Sequence, residues 1–394
     1  MKLRQTLLAT AVLGLLSSGA SAFDFNGYFR AGPGQKTDTN ANADQLRCFG
    51  GNTTNGHGGI GRLGNECHTY GEFALSQTAA VGGVNYKALW MPNFYSGGAV
   101  ATGGSDPGGL AVTAVNQLYV EGKGYDIAPN QTFWVGKRFY HRTDVHFDDA
   151  FFVNMSGMGA GVDGIGIGSA SLSVAGFRTG DNSANPQSRI NADLEGLDLG
   201  GAGKLRVTLD LTSASGAGGQ SGSGISLQHN LNGIGGVLDN TIWLQYAQGS
   251  AAVNMGFGNA TDRSSHKTTL LGESIAMTKG PLTGQALLQF GKVQDPAGNR
   301  TFNSLGGRLG YALTKNFKLQ GEVGTSSSKP TGGQNQQVTK VTIAPTLTVG
   351  PDYYDRPELR LYASHFSFNS GYRAANGLTK SSVSAIGAQV EVWF

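Results

Sequence analysis

Residues Lys204 to Leu211 read KLRVTLDL, polar at every even position and apolar at every odd one. Phe317–Val323 and Gln389–Phe394 repeat the pattern. A period of two places the apolar side chains of a strand on one face and the polar ones on the other. Helical periodicity is almost absent. The alternation predicts about eighteen strands, starting near Asp24, Gly64, Val84, Val115, Gln131, Gly161, Ala170, Arg189, Lys204, Gly224, Asn240, His266, Gln285, Phe302, Phe317, Gln337, Pro357 and Ser384. That allows roughly 20 residues for each strand and its connection, ample for the ~9–11 residues that a membrane-crossing strand needs. The connections are unequal. Thr314–Asn316 and Gly200–Gly203 are tight, whereas Pro33–Arg62 and Asn93–Ala114 are long. Short turns at one end and long loops at the other characterise transmembrane barrels. The expected fold class is therefore all-β, a transmembrane antiparallel β-barrel.

Composition narrows the alternatives. Charged residues are only 14% of the chain and 63 of 394 residues are Gly, with 11 Pro. The low charge and 9% aromatics argue against disorder, and the low Pro content against collagen. Lys2 and Arg4, the apolar stretch Leu7–Leu16 and the small-residue site Ala20-Ser21-Ala22 predict a cleaved signal peptide over 1–22. The mature chain, 23–394, is expected to be one barrel domain. Without Lys2 and Arg4 it carries 27 basic and 26 acidic residues, a balance that gives no reason to expect nucleic acid. No later segment reaches the ~18 apolar residues of a spanning helix. The two cysteines, Cys48 and Cys67, meet an oxidising compartment after export, so a disulfide closing one local loop is expected. Two thiols alone do not make a metal site.

The alternation also assigns faces, with the apolar face toward lipid. In the first strand Phe23, Phe25 and Phe29 point out, and Asp24, Asn26, Tyr28 and Arg30 point in. In the second, Phe73 and Leu75 point out, and Glu66, His68, Tyr70 and Glu72 point in. In the last, Gln389, Glu391 and Trp393 point in. Tyr28, Tyr70 and Trp393 are thus aromatics placed beside charges on a wet wall. An aromatic face receives the C–H side of a pyranose while charged groups hydrogen-bond its hydroxyl rim.

These residues resemble the maltoporin family of carbohydrate-selective porins of the Gram-negative outer membrane. The resemblance is carried by Phe25–Arg30, Arg62–Glu72, Gly136–His146, Arg356–Arg360 and Val390–Phe394. It implies an 18-stranded homotrimeric barrel whose pore is constricted by inward-folded loops. It also implies passive diffusion of maltose and maltodextrins, with no chemistry and no cofactor. Residue by residue, the family's aromatic slide falls on Tyr28, Tyr70, Tyr354 and Trp393. Its polar track falls on Arg30, Arg62, Glu72, Arg142, Asp144 and Asp149. Cys48–Cys67 corresponds to a disulfide in the first loop. The implied surroundings are lipid bilayer and lipopolysaccharide, with the long loops as a phage-receptor surface.

The chain departs from the family pattern in several places. Phe151 stands where the family has a constriction tyrosine. A track arginine is replaced near Asn116. The second loop lacks a tryptophan, for which Phe94 or Tyr95 could substitute, and Phe257 is a candidate for the remaining slide aromatic. These departures keep two alternatives open: a general-diffusion porin, or selectivity for another oligosaccharide such as sucrose or a β-glucoside. Other signals point to nothing further. His141, Asp144 and His146 lack a convergent geometry for a metal. Asp38, Asn40, Asn42 and Asp44 have calcium-loop spacing without its Gly or terminal Glu, which leaves a solvated loop taking adventitious Ca²⁺ at most. Asp148 and Asp149, as neighbours on a strand, would point to opposite faces, against a glycosidase pair.

Overall fold

A computed structural model of the chain describes residues 23–32, 34–36, 59–66, 69–96, 112–180 and 183–394. Residues 1–22, expected to be a signal peptide, the stretch Asp38–Asp44, both cysteines, His68 and residues 97–111 of the second loop lie outside the described residues.

The strands are β1 (Asp24–Ala31), β2 (Gly34–Lys36), β3 (Thr69–Val81), β4 (Val84–Ser96), β5 (Val112–Tyr125), β6 (Ala128–Arg138), β7 (Thr143–Val145), β8 (Ala150–Val153), β9 (Gly157–Ile167), β10 (Ala170–Arg178) and β11 (Gln187–Asp198). They continue with β12 (Lys204–Ala214), β13 (Ser221–Ile234), β14 (Leu238–Gly249), β15 (Lys267–Lys279), β16 (Leu282–Gln294), β17 (Arg300–Thr314), β18 (Phe317–Pro330), β19 (Gln336–Thr348), β20 (Glu358–Phe368) and β21 (Ser382–Trp393). A short helix, α1 (Ser370–Asn376), precedes β21. Eighteen of the strands form a closed antiparallel barrel. β2 prolongs β1 along β21, and β7–β8 is a separate hairpin inside the third loop, residues 139–156 between β6 and β9. β1 pairs with β3 on one side and with β21 on the other, which closes the wall. Phe394 and Gly27 exchange both backbone hydrogen bonds at 3.1 Å, and the Phe394 ring lies 5.3 Å from Phe25 on the outer face.

The predicted alternation is present and inverted relative to a soluble protein. Leu211 is 61% exposed and Asp210 is 0% exposed, because the outer face meets lipid and the inner face is the wet or packed lumen. Chain reversals at one end are short. Gly82 and Gly83, with φ +59° and +84°, join β3 to β4 in two residues, a backbone that favours glycine. The exception at that end is the segment 349–357, which enters the lumen. Strand starts agree with the sequence expectation to within a few residues. The largest displacement is in the second strand, expected near Gly64 and found at Thr69. Residues 59–66 are not strand but a segment folded into the barrel.

The inward segments divide the lumen. Val145, Phe147, Phe152, Val153 and Met155 of the third loop pack on Trp134, Phe177, Trp243 and Leu287 of the wall. Phe152 stacks on Trp243 at 4.1 Å. This dry core seals one side, and the passage runs along the opposite wall, near β1, β3, β4 and β21.

Candidate functional site

The register brings the aromatics together. Tyr28 lies opposite Trp393 on β21 and opposite Glu72 on β3, and Arg30 lies opposite Tyr70. Ring centroids are 6.1 Å apart for Tyr28–Tyr70 and 6.4 Å for Tyr28–Trp393. His146 of the third loop continues the row, 5.5 Å from Trp393 and 5.6 Å from Tyr354. Tyr354 enters from the segment 349–357, and Gln285 Nε2 donates to its hydroxyl at 3.2 Å. The row Tyr70–Tyr28–Trp393–His146–Tyr354 is therefore continuous. Tyr95 is the cross-strand partner of Tyr70, whereas Phe94 lies 5.4 Å from Phe73 on the lipid side. Of the two candidate substitutes, Tyr95 is the one whose register suits the lumen. Phe257 sits over the Arg189 guanidinium at 4.4 Å, apart from this row.

Hydrogen bonds fix the ring planes. Arg62 Nη2 donates to the Tyr28 hydroxyl at 2.7 Å, and that hydroxyl lies 3.1 Å from Glu391 Oε1 as donor. The Tyr70 hydroxyl donates to Glu72 Oε2 at 2.6 Å. Asn116 Nδ2 donates to both, at 2.8 and 2.7 Å, and its own Oδ1 accepts from Asn93 at 2.6 Å.

The track residues fall into two groups. Arg30 is bound to Glu66 at 2.8 Å and to Asp149 at 3.3 Å. Arg62 is 2% exposed and paired with Glu66 and Glu391. Arg356 and Arg360 converge on the same Glu391, at 2.8 and 2.5 Å. These donors are committed within the protein. Arg142 is different: it is exposed and, among the described residues, makes no hydrogen bond or ion pair. Its guanidinium lies 3.7 Å from the Phe139 ring centroid and 4.7 Å from that of Phe151. Asp144 is exposed too and has no ion-pair partner among the described residues. An unpaired cation that only donates and an unpaired carboxylate that only accepts together suit hydroxyls, which do both.

Both ring nitrogens of His146 face arginines. Arg62 Nη1 is 3.2 Å from Nδ1 and Arg356 Nη2 is 2.8 Å from Nε2. Burial pushes the imidazole well below its ordinary value. Glu391 opposes that shift, and Arg62 and Arg356 add to it.

Three expectations need correction. Arg62 was expected to face the passage and is instead buried, because Glu66 and Glu391 surround it. Glu66 points inward, but from a loop segment and not from a strand. Asp148 and Asp149 lie in a turn, not a strand; they still diverge, with Asp148 0% exposed and Asp149 bound to Arg30. His141, Asp144 and His146 do not converge. His141 lies with Asp193 and Glu195, where Arg206 already supplies the cation, at 2.9 Å from Asp193. His146, Phe139 and Glu391 are the site residues that sequence reasoning did not assign. The first two lie within the quoted Gly136–His146 motif, and Glu391 was assigned inward without a role. Asn116, read from the sequence as the place of a replaced track arginine, holds Tyr70 and Glu72 instead.

A closed 18-strand barrel with an apolar outer belt and a lumen narrowed by inward loops defines an outer-membrane porin. The LamB porin family model matches residues 23–394, and the chain belongs to that family. It is 30% identical over 407 residues to a maltoporin of Hahella chejuensis, covering 98% of this chain and 96% of that one. It is 28% identical to maltoporin 1 of Aeromonas salmonicida, each chain fully covered. Among solved structures it shares the fold of a BenF-like porin from Pseudomonas fluorescens, with TM-score 0.54, 12% identity and 94% and 98% coverage. OpdK of Pseudomonas aeruginosa is similar, with TM-score 0.52, 12% identity and 95% and 98% coverage. The chain is thus a multi-pass protein of the Gram-negative outer membrane.

Proposed function

We propose that this porin carries maltose and maltodextrins down their gradient. Sugar rings slide over Tyr70, Tyr28, Trp393 and Tyr354 while Arg142, Asp144 and Glu72 exchange hydrogen bonds with the hydroxyls. The observation that carries the reading is the continuous aromatic row beside an unpaired donor and an unpaired acceptor. Stacking needs no particular lateral position, so a row of rings lets a sugar advance without losing all contact at once. Arg30, Arg62 and Asp149 act here by positioning, since their charges are spent on one another and on Glu66 and Glu391. The names of the two maltoporin relatives support this choice of sugar.

The test is single-channel conductance in a planar bilayer with maltotriose titrated in. Saturable block supports the reading, and three equal closure steps would support a homotrimer. Steady current at tens of millimolar sugar would overturn it. A second reading is favoured by Phe151, which stands at the family's constriction position without a hydroxyl: selectivity for sucrose or a β-glucoside, tested by the same titration. Cleavage before Phe23 and a Cys48–Cys67 disulfide belong to the same proposal, and mass spectrometry of the exported protein tests both.

A further inference from the structure

Arg142 is held in place without spending its hydrogen bonds. An arginine tethered by carboxylates, as Arg30 and Arg62 are here, uses its N–H donors on the tether. A guanidinium held over aromatic rings is tethered without an oxygen acceptor, so its N–H donors are not committed to a carboxylate or carbonyl. The rings at Arg142 are themselves anchored. Phe139 packs against the cluster of Ala74, Leu89, Met91 and Tyr119, and its backbone N–H donates to Gln117 Oε1 at 2.9 Å. Phe151 is carried on the β7–β8 hairpin, in register with Asp144.

We propose that Phe139 and Phe151 are positioning residues that hold Arg142 edge-on to the passage and so determine recognition of neutral sugars bearing vicinal hydroxyls. The fork of N–H donors matches two adjacent oxygens in one plane. Glu72 and Asp144 around the same passage disfavour an anionic solute, which leaves a neutral diol as the matching group. The absent phenol at position 151 is then no loss of function, because the bare ring face is what Arg142 requires. This inference rests on the sugar-passage reading.

The test uses the full-length protein in planar bilayers, with maltotriose on- and off-rates read from current noise. Each of Phe139→Leu and Phe151→Leu is expected to weaken sugar binding about two- to fivefold, and both together about tenfold, through a faster off-rate. Phe151→Tyr keeps a stacking face and should keep parental affinity. Arg142→Lys, which has no plane to stack, should behave like the double variant. In an Arg142→Ala background the Phe151→Leu effect should vanish. If it persists there, or if sugar-free conductance changes in step with affinity, the rings act by narrowing the pore and the clamp is refuted. Absence of block in the parent protein overturns the sugar reading and the clamp with it. Block in the parent with unaltered leucine variants overturns the clamp alone.

Discussion

Replacing Lys340 by Met should release residues 59–66 from the barrel wall. Lys340 is fully buried, and its Nζ donates to the carbonyls of Gly61 at 2.8 Å and Leu63 at 2.7 Å, and to Glu322 Oε1 at 2.5 Å. The same Glu322 oxygen accepts the Leu63 N–H at 2.9 Å. Methionine preserves the volume, so the loss is electrostatic: one buried charge loses its partner and two carbonyls lose a donor. Breaking a buried pair from one side costs about 3–5 kcal/mol. Arg308 still holds the other Glu322 oxygen at 2.7 Å, which favours the lower figure. At about 3 kcal/mol the opened population rises more than about 100-fold. Three amides report it directly: Leu63, Arg62, which donates to Phe147 O at 3.0 Å, and Asn65, which donates to Arg62 O at 3.0 Å. Hydrogen exchange of the peptide covering 59–66, measured by mass spectrometry, should accelerate by that factor while β12–β16 peptides stay unchanged. Acceleration below about threefold would refute the assignment of Lys340 as the pin.

Tyr70→Ala should weaken maltotriose block far more than it changes salt conductance, whereas Tyr70→Phe, which keeps the ring and loses the bonds to Glu72 and Asn116, should weaken it less; equal effects would argue against stacking. Gly324→Ala should displace the first-loop segment, because the added Cβ would lie 2.5 Å from the Ile60 backbone. The expected cost of about 1–3 kcal/mol would appear as faster exchange over 59–66. Acid should loosen the third loop through His146. Its folded-state value lies below the unfolded ~6.5, so the unfolded chain binds the extra proton first and stability falls as pH drops below ~6.5. By pH 5 the loss reaches at most about 2 kcal/mol, and His146→Gln should flatten the dependence of thermal unfolding between pH 7.5 and 5.

The wall was legible in the sequence and the lumen only partly. Alternation is a property of the extended backbone itself, so it placed Tyr28, Tyr70, Glu72 and Trp393 on the inner face without any tertiary information. The fate of loop residues is set by partners far along the chain. Leu63 is fixed by Glu322 and His146 by Arg356, contacts separated by 259 and 210 residues. No local pattern encodes such pairs, which is why Arg62 read as a pore-facing charge. Register settled what composition left open at Phe94 and Tyr95, since adjacent strand residues must face opposite sides.

The charges of the lumen separate by what they bind. Glu391 accepts from Arg62, Arg356 and Arg360, and Glu322 from Arg308 and Lys340. Groups so matched offer a passing solute little, because a donor already aimed at a buried carboxylate gains nothing by turning away from it. Their effect is indirect: they hold 59–66, the third loop and Tyr354 in the places that make one row of rings. On this reading, variants of the buried pairs should change loop docking first and sugar affinity only as a consequence. Variants of Arg142, Asp144 and the rings should change affinity with the loops still docked. Exchange protection and sugar block, measured on the same set of variants, distinguish the two classes. If buried-pair variants lost sugar block with full protection over 59–66, charges as deep as Arg62 would have to reach the solute directly, and the division between positioning and contact would be wrong.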